Sequence, residues 1–236
     1  MNTRDFIVTP DKFLTLANNF VSRYGTKIDL STPDNNVFFV KPDYMNSFCD
    51  IILPHIDYPF VLITHDSDIP APNGFHNILN HPHLSMWFAM NCHEIHPKLQ
   101  PIPIGMANEC WPHGDKQIIH DTRKLQSKKD NLVYCNFNSQ TNPTERAATL
   151  HDLKTSALRD FIDFEVHHLP YREYIQKLDT YKYVISPPGN SVDCHRIWES
   201  MYIGTVPICL KSIPLLSFKD SPILFVNDWV TLTPEV

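Results

Sequence analysis

Short apolar runs alternate with polar, helix-spaced stretches along the chain. Val37-Phe38-Phe39-Val40 and Phe60-Val61-Leu62-Ile63-Thr64 are continuous apolar runs of strand length, and 84–90 and 101–105 are further apolar or extended segments, so each predicts a buried strand. Between them, 46–56 and 74–80 carry helical spacing. Upstream, Thr9-Pro10-Asp11 followed by Phe13, Leu14, Leu16, Ala17, Phe20 and Val21 predicts a helix with Pro10 at its first position, ending near Tyr24-Gly25. This alternation is that of βα units and predicts a small, mostly parallel sheet.

From Asp115 to Lys129 the chain turns polar, helical at first and then charged at Lys128-Lys129-Asp130. The run Leu132-Val133-Tyr134-Cys135-Asn136-Phe137 restarts the alternation. It continues with a helix over 144–155, a strand over 161–166, a helix over 171–181 and the strand Tyr183-Val184-Ile185. A helical pattern across Arg196 and Glu199 follows, closed by Gly204, and then strands over 206–210 and 223–226. The charged break places a lobe boundary near residue 128, giving lobes 1–128 and 129–236, both expected to be doubly wound.

At 236 residues with 42% hydrophobic content the chain can bury substantial cores. Twenty basic residues against 26 acidic ones, with no Lys/Arg-rich run, argue against nucleic acid as a partner. No apolar region follows Met1-Asn2-Thr3-Arg4-Asp5 and no 18-residue apolar run occurs, so a soluble, cytoplasmic chain without a transmembrane segment is expected. Six scattered cysteines without a close pair predict free thiols in a reducing compartment. Among thirteen histidines, Cys92-His93 with His96 and His81-Pro82-His83 cluster but lack zinc-site spacing, so no metal or other cofactor is expected. Twenty prolines against six glycines fit many short connections.

The candidate chemistry centres on Pro187-Pro188-Gly189-Asn190-Ser191, a turn that leaves an apolar strand and enters a helix. The first amides of such a helix lack partners and its dipole favours an anion, so a diphosphate fits there. Arg196 supplies a permanent, forked cation. Glu199 follows one turn later, about 5.4 Å along the helix, where it could accept hydrogen bonds from ribose hydroxyls. The alternative is a surface i,i+3 ion pair worth a few tenths of a kcal/mol.

The segment 183–207, with Pro187-Pro188-Gly189-Asn190, Asp193-Cys194-His195-Arg196, Trp198-Glu199, Gly204 and Pro207, resembles the exostosin-type glycosyltransferases. Phe225-Val226-Asn227-Asp228-Trp229 is similar to that family's closing segment. Trp87-Phe88-Ala89-Met90-Asn91, Pro101-Ile102-Pro103-Ile104-Gly105, Tyr134-Cys135-Asn136-Phe137, Thr141-Asn142-Pro143 and Glu145-Arg146 resemble compact members from microbes and large DNA viruses. The resemblance covers about two thirds of the 236 residues. It implies an α/β GT-B fold of two small Rossmann-like lobes with the active-site cleft between them. It further implies metal-independent use of a nucleotide-diphosphate sugar, UDP-sugar favoured over GDP-sugar, with inversion at the anomeric carbon. Arg196 would hold the diphosphate and Glu199 the ribose. Ser186, Pro188, Gly189, Asn190, Ser191, Asp193 and His195 complete the expected donor site, and Asn138, Thr141 and Arg146 would face the donor from the lobe's first strand. The family's animal members are longer and membrane-anchored; here the sequence stops at Val236, so a closing helix is expected to be short or missing.

A second constellation is His65-Asp66-Ser67-Asp68, after an apolar strand. Inverting transfer needs a base for the acceptor hydroxyl, and Asp68, Asp66 and His65 are the candidates; a polar loop capping the next helix is the plain alternative. The same Asp-x-Asp triplet could instead hold a divalent cation, as in a metal-dependent GT-A transferase. Aromatic residues can stack on sugar rings. Trp111 and His113 are the expected acceptor-binding pair, Tyr44 is a lesser candidate, and Trp87, inside an apolar strand, is expected in the core. The expected function is transfer of a sugar from a nucleotide diphosphate to a glycan hydroxyl. The alternatives are the GT-A transferase and a catalytically silent nucleotide- or glycan-binding protein.

Overall fold

The computed structural model describes residues 7–234. Met1 to Asp5 and Val236, on which the expectations about a leader and a closing helix rest, lie outside the described residues. The fold is α/β with two separate sheets in two compact units. One unit is Val8–Ile104; the other is Met1–Ile7 with Gly105–Val236.

The first unit carries strands β1 (Asn19–Ser22), β2 (Gly25–Lys27), β3 (Val37–Val40), β4 (Phe60–Thr64), β5 (Leu84–Ala89) and β6 (Leu99–Pro101), in the order β2-β1-β3-β4-β5-β6. Every pairing is parallel except the β1-β2 hairpin. The N-terminal helix is shorter than the sequence pattern predicts: α1 spans Pro10–Leu14, and Phe20 and Val21 belong to β1. There they pair with Phe39 and Val40 of β3, and burial beside that apolar run outweighs the helical spacing. Tyr24-Gly25, expected to stop a helix, turns the hairpin, with Gly25 at φ 117.

The helix expected over 46–56 is present but starts at Pro42, ends at His55 and is broken into short turns around α2 (Met45–Ser47), and α3 is His76–Leu79. These connections cover Phe38, Val40, Phe60, Leu62, Trp87 and Ala89 on one sheet face, and Trp87 is core, its indole donating to Thr64 Oγ1 at 2.8 Å. The parallel strands run in sequence order, so this sheet is not doubly wound: right-handed crossovers without a reversal of order fall on one face.

The second unit carries α4 (Lys116–Leu125), β7 (Asn131–Cys135), α5 (Pro143–Thr155), β8 (Ile162–Phe164), α6 (Tyr171–Leu178), β9 (Tyr181–Ile185), α7 (His195–Tyr202), β10 (Val206–Leu210), α8 (Ile213–Leu216) and β11 (Leu224–Val226). All its strands are parallel, in the order β11-β10-β9-β7-β8. Successive residues feed opposite cores. Tyr134 and Val184 pack with Ile7, Met106, Ile118, Ile119 and Ile175; Val133, Cys135 and Ile185 pack with Leu153, Leu158, Trp229 and Leu232. Burial on both faces explains the unbroken apolar runs.

The division at Ile104/Gly105 corrects the boundary expected near residue 128. The polar 115–129 stretch is not a linker: Ile118 and Ile119 of α4 share a core with Ile175 and Leu178 of α6. The charged end is also used. Lys129 Nζ donates to Asp179 O and to Thr205 Oγ1, each at 2.8 Å, tying the start of β7 to the starts of β9 and β10. All six cysteines are free thiols. No helix among the described residues is long and apolar enough to cross a membrane.

Candidate functional site

In the second sheet the order of strands reverses at β7, which lies between β8 and β9. In an open α/β sheet this reversal opens a crevice outside the carboxyl ends of the two central strands. Here those ends carry Asn136-Phe137-Asn138 after β7 and Ser186-Pro187-Pro188-Gly189 after β9. The donor residues expected from the sequence therefore converge from two separated stretches.

Arg146, on α5, joins these loops. Its Nε donates to Pro188 O at 2.9 Å and its Nη1 to Asn138 O at 2.6 Å, while Asn142 Nδ2 donates to Gly189 O at 3.0 Å. Arg146 is only 5% exposed. Both of its bonds end on neutral carbonyls, and no carboxylate lies within salt-bridge distance among the described residues. The other face of the site is Arg196, partly buried on the first turn of α7. Both guanidinium groups lie against one ring: Arg146 Cζ is 5.4 Å and Arg196 Cζ 6.0 Å from the Phe137 centroid. Burial, and then the charge of Arg196, pull the Arg146 pKa down. Burial acts on Arg196 in the same direction, but Tyr174, Cys194 and Glu199 more than offset it. Among the described residues neither cation has a carboxylate within salt-bridge distance, with Glu199 acting on Arg196 from one turn along α7, and the two guanidinium groups make the recess electropositive.

Two polar atoms around the recess, Arg196 Nε and Ser186 Oγ, are buried without a hydrogen bond, whereas the Tyr171 hydroxyl is engaged with Glu199 and the Tyr174 hydroxyl with Arg196. Buried unpaired donors of this kind are uncommon in a folded interior and are what a bound polar group would satisfy. Glu199 is 5% exposed, so it is not the surface ion pair considered from the sequence. Burial pushes its carboxyl up to about 7, against the pull of Arg196 and of the neighbouring Tyr171 hydroxyl. Tyr171 and Tyr174 are one turn apart on α6, facing Glu199 and Arg196, one turn apart on α7. The sequence reading missed these tyrosines and the role of Phe137; the matching i,i+3 spacing on two helices was the available signal.

Other expected donor residues hold the loops around the recess or lie at its rim. Asp193 is buried and accepts from Trp198 Nε1 at 2.6 Å, fixing the loop to α7. Asn138 uses its side chain to cap Gln140 N at 2.9 Å, and its carbonyl serves Arg146. Thr141 and Asn190 are exposed at the rim. Gly189 N donates to Ser191 O at 2.9 Å, closing the turn. A Cβ on Gly189 would lie 3.1 Å from Arg146 Nη2, so the glycine admits the guanidinium. The turn and helix are not contiguous as expected: α7 begins at His195, after Val192-Asp193-Cys194.

Trp111 and His113 belong to the same unit and approach the same helix. The His113 ring lies 5.8 Å from His195 and 6.5 Å from Tyr171, and Trp111 stacks on His113 at 6.3 Å. Tyr44 is exposed in the other unit.

The candidate bases lie in the unit Val8–Ile104. His65 is fully buried, stacked on Phe13 at 4.9 Å, with Nε2 3.0 Å from Pro103 O and Nδ1 accepting from Asp66 N at 2.8 Å. Both ring nitrogens hold backbone, so His65 is corrected from a base to a structural residue. Asp66, at φ 66, pairs with Arg23 Nε at 3.3 Å, and burial raises its pKa. Asp68 is exposed. Among the described residues no group of three or more His, Cys, Asp and Glu side chains is arranged to hold a metal ion.

No family model matches the chain, and no curated protein matches it.

Proposed function

We propose that the chain is a glycosyltransferase of the GT-B class whose Gly105–Val236 unit holds the diphosphate of a nucleotide sugar. The observation that carries this reading is the arginine pair, Arg146 and Arg196, both against the Phe137 ring at the strand-order reversal and neither within salt-bridge distance of a carboxylate among the described residues. Arg196 Nε and the helix start provide donors, and the spare Nη2 of Arg146 adds another. An anionic leaving group gains stabilisation from such fixed charges without reorganisation. Glu199, one turn further along α7, would accept from ribose hydroxyls in this reading. The acceptor oxygen attacks the anomeric carbon as the bond to the diphosphate breaks, giving inversion. The arginines take the charge-neutralising part that a divalent cation plays in the GT-A alternative, and Asp66 of that alternative's triplet is already paired with Arg23.

Calorimetry with UDP, GDP and their sugars, with and without EDTA, tests the reading. UDP-sugar should bind equally in EDTA, and Arg196→Ala should weaken binding at least tenfold, about 1.4 kcal/mol. Unchanged UDP and GDP affinity in a folded Arg196→Ala protein removes the central claim. Binding without turnover would leave the silent nucleotide-binding module.

A further inference from the structure

We propose that Tyr171 is a positioning residue for the nucleotide: its hydroxyl donates to the buried Glu199 carboxylate and so orients that carboxylate for a ribose hydroxyl. This deepens the donor reading of the same unit and rests on it.

Two rows of equal spacing meet here. Tyr171 and Tyr174 are one turn apart on α6, Arg196 and Glu199 are one turn apart on α7, and the two helices pack together. Each tyrosine has a different partner. The Tyr171 hydroxyl meets Glu199, and the Tyr174 hydroxyl meets Arg196. A carboxylate can only accept and a guanidinium can only donate, so Tyr171 gives its hydrogen and Tyr174 offers its oxygen. One helix thus engages both charged side chains that the donor reading assigns to the other.

Tyr171 is itself held. Its ring centroid lies 6.5 Å from that of His113, edge to face, and 6.4 Å from that of Tyr174, and the ring packs against the core of Ile118, Ile119, Ile175 and Leu178. A tyrosine hydroxyl projects along the axis of its ring, so a fixed ring fixes the donor. Glu199 is 5% exposed and has no cation within salt-bridge distance among the described residues. A carboxylate so enclosed ionises at lower cost where a fixed hydroxyl donates to it.

The pair has one member that titrates. Burial, and then the charge of Glu199, hold the Tyr171 hydroxyl far above its ordinary range, so it keeps its hydrogen at any working pH. Burial pushes Glu199 up to about 7, while Arg196 and then Tyr171 pull it back. Tyr174 of α6 and Asp115 at the start of α4 also act on Tyr171, and Arg196, Glu199 and Cys194 of the α7 segment act on Tyr174. His113, against the Tyr171 ring, is held by burial below the usual imidazole range. Removing the Tyr171 hydroxyl takes away a contact that favours the ionised carboxyl, so Glu199 then titrates at higher pH. In the donor reading the ribose hydroxyls need that carboxylate, so nucleotide affinity moves to higher pH with it.

The test is calorimetry on the full chain with UDP, GDP and inorganic pyrophosphate, which carries a diphosphate without a ribose. Tyr171→Phe keeps the ring and removes only the hydroxyl. At pH 7 it should weaken nucleotide binding about fivefold or more and leave pyrophosphate within about twofold. At pH 9 the nucleotide loss should shrink to about twofold, because Glu199 is then ionised in both proteins. Ionisation of the ligand is common to the two proteins and cancels in each comparison. In a Glu199→Gln background, Tyr171→Phe should change nucleotide affinity by less than about twofold. An undiminished nucleotide affinity at pH 7 overturns the proposal. So does an equal loss for nucleotide and pyrophosphate, a loss independent of pH, or a full loss that persists in the Glu199→Gln background. Wild-type protein that binds neither nucleotide nor pyrophosphate overturns the donor reading and this inference with it. The variant outcomes overturn this inference alone, since they are judged against a wild type that binds.

Discussion

At the scale of single residues, Arg146 and Glu199 carry opposite electrostatic costs. Arg146 is a buried cation whose hydrogen bonds go to neutral carbonyls, so it is kept charged without a counter-charge. Filling the space beside it tests how closely it must fit. Gly189→Ala places a methyl 3.1 Å from Nη2 without a positive φ to strain. The guanidinium must shift by a few tenths of an ångström, so UDP affinity should fall severalfold while the melting temperature changes little. An unchanged affinity would separate Arg146 from the anion site. Glu199 is the reverse case, a buried carboxyl held up to about 7 against an ordinary 4.5. The folded chain then binds this proton more tightly than the unfolded chain. The penalty is absent below about pH 4.5, grows as pH rises toward 7, and is constant above. Glu199→Gln should therefore stabilise the protein at pH 8 by up to about 3 kcal/mol and change little at pH 4.5. Melting curves at both pH values decide this; a pH-independent difference would mean the carboxyl titrates normally.

At the scale of elements, the site depends on how β7, β9 and α7 are anchored at both ends. At the amino ends of the strands, Lys129 binds Asp179 and Thr205, and Thr205 Oγ1 also reaches Leu178 O and Tyr181 O at 3.0 Å. Asp179 is 4% exposed, so removing its cation strands a buried charge. Lys129→Met should cost about 3 kcal/mol, seen as a lower urea midpoint with an unchanged slope. A loss below about 0.5 kcal/mol, the size of an exposed pair, would contradict this account. At the carboxyl ends, the Asp193–Trp198 bond and the Arg146 bonds to Asn138 O and Pro188 O hold the loops. Much of the expected donor site was legible here because the Pro/Gly turn, Arg196 and Glu199 are local in sequence. Arg146 was reached only through family resemblance, and Tyr171 and Tyr174 not at all, because their roles come from residues 22 to 42 positions away. The N-terminal helix failed for the same kind of reason: Phe20 and Val21 have helical spacing, yet their strand partners lie in β3.

At the scale of the whole molecule, chain order and compact unit do not coincide. Ile7 precedes the first unit in sequence but packs in the core of the second, with Met106, Ile118 and Ile119. Ile7→Ala should cost about 3 kcal/mol and lower amide protection in 105–234 while leaving 19–101 unchanged. Loss of protection confined to the first unit would show that the division is drawn wrongly. The same non-local packing displaced the boundary from 128 to 104, since α4 looks like a polar linker until its isoleucines meet α6.

The sequence by itself determined the α/β class, most strands from β3 onward and the loop that leads into α7, because strand-length apolar runs and Pro/Gly punctuation act within a few residues; β1 and β2 were not legible, and β6 lies at Leu99–Pro101 instead of the expected 101–105. Tertiary structure alone decided the order of the strands, and with it where the crevice opens and which buried charges stay unpaired. Those depend on contacts between segments far apart in the chain, whose energies a local pattern does not contain.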